Sequence, residues 1–211
     1  MTGLFITLEG PEGAGKSTQM PLLCEWLEAQ GHEVVCTRNP GGTQIGRQIR
    51  QILLDPENRA LVPMAELMLY AADRAQHVQE VVRPALSAGK VVICDRFSDS
   101  TLAYQGHGRG LDTTLLRALN EMATEGLRPD LTLLLDLSSE AGLARVQRYR
   151  QTDRLEEEAI AFHHRLREGY LALAAEEPER IVVIDALQEA EVVQEAMQVA
   201  LLKVLQARLA G

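Results

Sequence analysis

Residues 10–17 read Gly10-Pro11-Glu12-Gly13-Ala14-Gly15-Lys16-Ser17, a G-x-x-x-x-G-K-S spacing suited to gripping a chain of phosphates. Small residues let backbone N–H groups close around phosphate oxygens, and a helix starting at the end of the run adds the positive end of its dipole. Gly10, Gly13, Ala14 and Gly15 shape the cradle, Lys16 reaches the β and γ phosphates, the Ser17 hydroxyl can ligate Mg2+, and Thr18 continues the run. A glycine turn that merely joined a strand to a helix would require neither the lysine nor the serine at those offsets.

Such a cradle needs an acidic partner for the metal. Val91-Val92-Ile93-Cys94-Asp95 supplies an apolar run ending in a carboxylate, which makes Asp95 the candidate Mg2+ ligand, directly or through water. Read alone, Asp95 could also start a turn, the lesser of the two readings beside the cradle. No N-K-x-D or D-x-x-G segment of a guanine-nucleotide switch is present, so ATP is the expected phosphate donor.

The cradle could still belong to a switch, a motor or a kinase, and the arginines bear on that choice. Arg38, Arg50, Arg74 and Arg96 each fall near the end of an expected strand or on an adjacent helix. Ligand crevices of open α/β sheets lie at the carboxyl ends of the strands, and guanidinium forks suit a phosphate monoester dianion. Any one of them could be a solvated charge. Tyr70 and Arg74, four residues apart, share a helix face; the ring either stacks on a base or packs in the core.

These side chains must be carried by a sheet. Apolar runs at 4–8, 33–37, 91–95, 131–137 and 181–184 read as strands covered on both faces. Between them, helices are expected at 16–30, 44–54, 64–87, 113–125, 140–149, 156–176 and 189–209, with Asp112 as an N-cap and Gly31, Gly89 and Gly126 as stops. Pro21 lies inside the first helix and predicts a mild kink or a carbonyl left to water. The alternation predicts an α/β sandwich, and no linker or repeat divides residues 1–211, so one domain is expected.

Composition narrows the partners. Lys plus Arg number 21 against 30 for Asp plus Glu, a net charge of −9 that disfavours nucleic acid and anionic membranes. Hydrophobic residues at 46% and charged residues at 24% fit a globular chain rather than a disordered one. No segment is apolar enough to cross a membrane, and Cys24, Cys36 and Cys94 read as small buried hydrophobes in a reducing, cytoplasmic setting.

The blocks from Leu8 to Gln19, Thr37-Arg38-Asn39-Pro40-Gly41-Gly42-Thr43, Tyr70-Ala71-Ala72-Asp73-Arg74, and Asp95-Arg96-Phe97 with Ser100-Thr101-Leu102-Ala103-Tyr104-Gln105-Gly106 resemble the signature segments of bacterial thymidylate kinases, in matching order. The resemblance implies the P-loop NTPase fold in its nucleoside monophosphate kinase-like form, a five-stranded parallel sheet with helices on both faces, and a homodimer. It implies transfer of the γ-phosphoryl group of ATP to dTMP, giving dTDP and ADP, with Mg2+. By the same resemblance Glu12 contacts the sugar and phosphate region, Tyr70 stacks on thymine, and Arg50, Arg74 and Arg96 hold the acceptor phosphate, while Arg38 remains a substrate-binding candidate from its place near a strand end. Ser100, Thr101, Tyr104 and Gln105 then line the base and deoxyribose, the tyrosine crowding a 2′-hydroxyl. Two positions depart from the family: Asn39 stands where glutamate is usual, and Tyr70 where phenylalanine is commoner.

Phosphoryl transfer also needs a cation at the migrating group, and the loop positions Pro11, Glu12, Gly13 and Ala14 supply none. Arg145, Arg148, Arg150 and Arg154 cluster at about 145–155 and resemble the lid of thymidylate kinases whose P-loop lacks arginine. Arg150 is the expected transition-state cation beside the catalytic set Lys16, Glu12 and Arg96, with Arg148 and Arg154 assisting on ATP. The competing readings are a kinase for another monophosphate or a deoxynucleoside, and a P-loop regulatory protein that binds ATP without phosphorylating a small molecule.

Overall fold

A computed structural model describes residues 3–149 and 152–210. Five strands, β1 (Leu4–Glu9), β2 (Val34–Arg38), β3 (Val91–Asp95), β4 (Leu131–Asp136) and β5 (Ile181–Asp185), form one parallel sheet in the order β2-β3-β1-β4-β5. β1 is buried along its whole length, as a central strand covered on both faces must be. Its neighbours β3 and β4 lie on opposite sides, so the chain reverses direction of travel beside β1 and opens a crevice at the carboxyl ends. Arg38 is in register with Asp95, and Asp95 with Leu8, so the ends of three strands deliver their polar residues to that edge together.

The helices are α1 (Lys16–Ala29), α2 (Gln44–Leu54), α3 (Pro63–His77), α4 (Arg83–Ser87), α5 (Ser98–Thr101), α6 (Thr113–Thr124), α7 (Ser139–Tyr149), α8 (Ile160–Glu176) and α9 (Ala190–Ala210). One face of the sheet packs on α1 and α9 through Leu23, Leu27, Met197 and Leu201. Leu67 of α3, Leu116 of α6 and Leu166 of α8 build a second core with Leu134 of β4. A smaller cluster of Phe5, Val78, Val82, Val92 and Phe97 supports the start of the crevice.

Most expected boundaries agree within a few residues, and the departures have causes. Thr43 caps α2 by accepting from the Gly46 N–H at 2.9 Å, and Asp112 caps α6 through Leu115. The helix expected over 64–87 is continuous, but Val78–Val82 is π-helical between α3 and α4. Pro84 has no N–H to donate and would press on the carbonyl four residues back, which the wider turn relieves. α1 continues through Pro21. The helix expected from 156 begins only at Ile160, because Asp153 Oδ1 accepts from the N–H groups of Leu155 and Glu156 and closes a turn instead.

The cysteine expectation requires correction. Cys94 is a buried free thiol, but Cys24 of α1 and Cys36 of β2 are joined in a disulfide, and Cys36 is exposed on the edge strand. The connection between α1 and β2 is short and folds straight back, which brings positions twelve apart within bonding reach.

Candidate active site

The loop between β1 and α1 takes the cradle shape through left-handed backbone at Gly13 (φ 69°) and Gly15 (φ 89°), a conformation that a side chain would strain. Lys16 lies at the first turn of α1 with its Nζ arched back over the loop, donating to the carbonyls of Gly10 (2.8 Å) and Pro11 (2.9 Å). Burial, reinforced by the nearby Arg96 charge, brings its pKa down to about 8 against the pull of Asp95, Glu12 and Glu9. Gly142 of α7, which sequence reading missed, sets the loop from behind. A Cβ on Gly142 would run into the Glu12 carbonyl, and one on Gly13 into the Gly142 carbonyl, so helix and loop meet backbone to backbone.

In front of the loop lies a crevice of about 840 Å³. Glu12, Gly13, Ala14, Gly15, Lys16, Ser17 and Thr18 form one end of it; Arg38, Arg50, Tyr70, Arg74, Asp95, Arg96, Ser100, Thr101, Tyr104 and Gln105 line the rest. Residues singled out from four separate stretches of chain therefore converge on one space. Gly10 contributes through its carbonyl, which accepts from Lys16 and from Arg96.

Arg96 is the most elaborately held of the arginines. Its backbone is left-handed (φ 67°), and its guanidinium donates to Gly10 O (3.0 Å) and Tyr170 Oη (2.9 Å) while lying over the Tyr104 ring at 4.9 Å. Below it, buried Glu9 accepts from Phe97 N (2.7 Å), Ser100 Oγ (2.6 Å) and Tyr170 Oη (3.0 Å). Burial raises the Glu9 pKa, and Asp99 adds to the rise. Tyr170 is a functional support that no motif signalled, and Glu9, although inside the Leu8–Gln19 block, was given no role there. Glu9 ends an apolar strand as an ordinary polar residue would, and Tyr170 sits in a helix whose apolar spacing already explains it.

Glu12 Oε1 accepts from the Tyr104 hydroxyl and faces Arg96 Nη2 at 3.5 Å. Burial works against its charge, but His163, Arg96, Tyr104 and Lys16 together outweigh burial and hold the carboxyl at about 2. Arg50 donates to Pro40 O at 3.0 Å, and Gln105 is fixed by a 2.8 Å bond to Glu66. Asn39 donates to Asp73, which also accepts from Gly41 N at 3.0 Å, so the amide at this position secures the turn before α2. Tyr70 belongs both to the core and to the crevice wall, and burial, with Glu66, raises its hydroxyl pKa so that it stays a neutral phenol.

Three lid and acceptor expectations change. Arg74 is 1% exposed, with Nη1 on Asn120 Oδ1 (2.6 Å) and Nη2 on Phe97 O (3.0 Å); only Nε is unpartnered, so it cannot offer a two-pronged fork to a phosphate. Arg154, expected on ATP, is buried with Nε on Leu53 O (2.8 Å) and Nη2 on Glu66 Oε2 (2.5 Å), outside the crevice lining. Arg145 instead reaches the loop, donating to Gly13 O at 3.4 Å and Ala186 O at 3.1 Å. Arg148 is exposed at the end of α7, and Arg150 lies outside the described residues.

Among the described residues that line the crevice, five buried polar atoms have no hydrogen-bond partner: Glu12 Oε2, Asn39 Oδ1, Arg74 Nε, Asp95 Oδ1 and Thr101 Oγ1. Buried polar groups are normally satisfied, so such a set marks a surface completed by a ligand. A P-loop opening a parallel sheet, with arginines facing it across one crevice, defines a P-loop kinase acting on a small phosphorylated acceptor. The family model for thymidylate kinase matches residues 8–197, and the chain belongs to that family. It is 57% identical over 195 residues to a thymidylate kinase of Desulfovibrio desulfuricans, covering 89% of this chain and 90% of the relative. Identity to one of Geotalea uraniireducens is 52% over 206 residues, 95% of this chain and 97% of the relative. The crystal structure of thymidylate kinase from Ehrlichia chaffeensis superposes with a TM-score of 0.78 at 33% identity, covering 94% of this chain and 99% of that one.

Proposed function

We infer that this family member, which phosphorylates dTMP with ATP to give dTDP and ADP, divides its crevice into a donor half and an acceptor half. The donor half is the cradle of Gly10, Gly13, Ala14, Gly15, Lys16, Ser17 and Thr18, where ATP lays its phosphates on backbone N–H groups and Lys16 leaves its two carbonyl bonds for phosphate oxygens. Mg2+ belongs between the halves. Asp95 Oδ1 is buried and unpartnered, and Ser17 lines the same space, a hard oxygen pair that would leave a small cation's other positions to phosphates and water. The ion would neutralise charge on the β and γ phosphates.

On the acceptor side, Arg38, Arg50 and Arg96 take the dTMP phosphate, while Tyr70, Arg74, Ser100, Thr101, Tyr104 and Gln105 enclose thymine and deoxyribose. Arg74 turns a single N–H toward the base rather than a fork toward the phosphate. A dTMP phosphate oxygen attacks the γ-phosphorus as the bond to ADP breaks. That oxygen is already anionic near neutral pH, so no strong base is required and positioning with charge neutralisation supplies the rate. The observation that carries this division is the set of five unpartnered polar atoms on residues that line one crevice.

Coupled measurement of ADP release tests it. The rate with dTMP is expected to exceed that with CMP, UMP or AMP by at least about 100-fold, whereas dUMP, short of one methyl, loses only about tenfold. Equal rates across the panel would remove the acceptor assignment.

We also propose a homodimer. α2, α3 and α6 pack side by side and leave Ile45, Ile52, Met64, Met68, Leu115 and Met122 exposed on neighbouring helices, an apolar face fit for a second copy. Sedimentation is expected at twice the chain mass, and at the chain mass for Met68→Glu. A wild-type monomer at micromolar concentration overturns the dimer.

A further inference from the structure

α8 brings one group to the site that the division of roles above does not use. His163 is 1% exposed, and its Nδ1 lies 3.7 Å from Glu12 Oε2. Glu12 Oε2 has no hydrogen-bond partner, and neither has His163 Nε2. The other carboxylate oxygen is occupied by Tyr104 and Arg96, so the imidazole faces the one unsatisfied oxygen of Glu12. The Phe162 ring packs edge-on against the imidazole at 5.5 Å and, with burial, fixes the direction in which it points.

We propose that His163 is a positioning residue for the acceptor half, its Nδ1–H held toward Oε2 of Glu12 so that the carboxylate stays clamped between α8 and Tyr104. This rests on the reading that Glu12 works at the substrate sugar and phosphate. Without the clamp the second carboxylate oxygen would also be free to turn onto Arg96, which already meets Oε1 at 3.5 Å and whose guanidinium has to face the dTMP phosphate. The contact is longer than a formed hydrogen bond, as expected of a free site whose polar contacts close only when substrate fills the crevice.

The imidazole, the carboxylate and the nucleotide can be separated by experiment. His163→Leu keeps the bulk and loses the donor; it is expected to lower kcat/KM for dTMP about tenfold, with KM for ATP unchanged. His163→Asn, whose amide nitrogen sits near the place of Nδ1, restores at least half of the lost activity. In a Glu12→Gln background, His163→Leu adds no more than about twofold, because the two residues act as one unit. In the wild-type protein, 15N NMR of the imidazole is expected to find the proton on Nδ1 in the dTMP complex. Wild-type kinetics in His163→Leu, equal damage in the leucine and asparagine variants, or a neutral ring protonated on Nε2 each overturns the clamp. Full activity in Glu12→Gln would instead overturn the role of Glu12 itself.

Discussion

Lys16→Ala is expected to lower kcat by about 1,000-fold, since it removes a charged donor aimed at oxygens where negative charge accumulates during transfer. In the free protein Nζ rests on the Gly10 and Pro11 carbonyls, an arrangement that keeps a buried ammonium solvated by backbone and aims it at the loop interior. No other lysine reaches this crevice among the described residues, so no neighbour substitutes for it. The pH profile supplies a second measurement. With the pKa down at about 8, Lys16 is charged below that pH and neutral above it in the free protein. ATP phosphates favour the charged form, so above pH 8 a proton must bind together with the nucleotide, and the wild-type KM for ATP should climb about tenfold per pH unit. Below pH 8 the lysine contributes no slope. In Lys16→Ala this rise disappears; a steep rise that survives the substitution would assign the titration to another group.

The cradle, the strand-end aspartate and the arginine cluster were legible because each is a short-range pattern: a loop spacing, an apolar run with a terminal charge, a residue type repeated near strand ends. The supports behind them were not. Glu9, Tyr170 and His163 come from β1 and α8, over 150 residues apart in sequence, and meet only because β1 is central and α8 packs across its carboxyl end. The segment over 98–108 shows the same limit from another side. Its helix begins with Ser98, Asp99, Ser100 and Thr101, polar residues with no apolar period, and it is stable because Glu9 accepts from Ser100 and Arg180 pairs with Asp99 at 2.7 Å. Gly142 is similar: a glycine in a helical pattern reads as a mild defect, and only its contact with Glu12 shows why no side chain fits. Arg154 errs in the opposite direction. Its neighbours in sequence are lid arginines, yet Glu66, buried and in need of cations, draws it inward beside Arg109.

That withdrawal of Arg154 sharpens the expectation for the lid. Arg150→Ala should lower kcat by about 1,000-fold with a smaller change in either KM, as the loss of a cation that acts on the migrating phosphoryl group does. Arg145 already spends one nitrogen on the Gly13 and Ala186 carbonyls, which fits it to brace the loop rather than to follow charge as it moves. Arg154→Ala removes a partner of a carboxylate only 1% exposed, so its effect is expected in a lowered Tm, with kcat near the wild-type value. Arg148, exposed at the end of α7 and next in line along the chain, is the alternative finger. Steady-state kinetics of the three alanine variants distinguish these roles. A kcat loss concentrated in Arg148→Ala moves the finger by two residues, and one concentrated in Arg154→Ala would require Glu66 to release it when ATP binds.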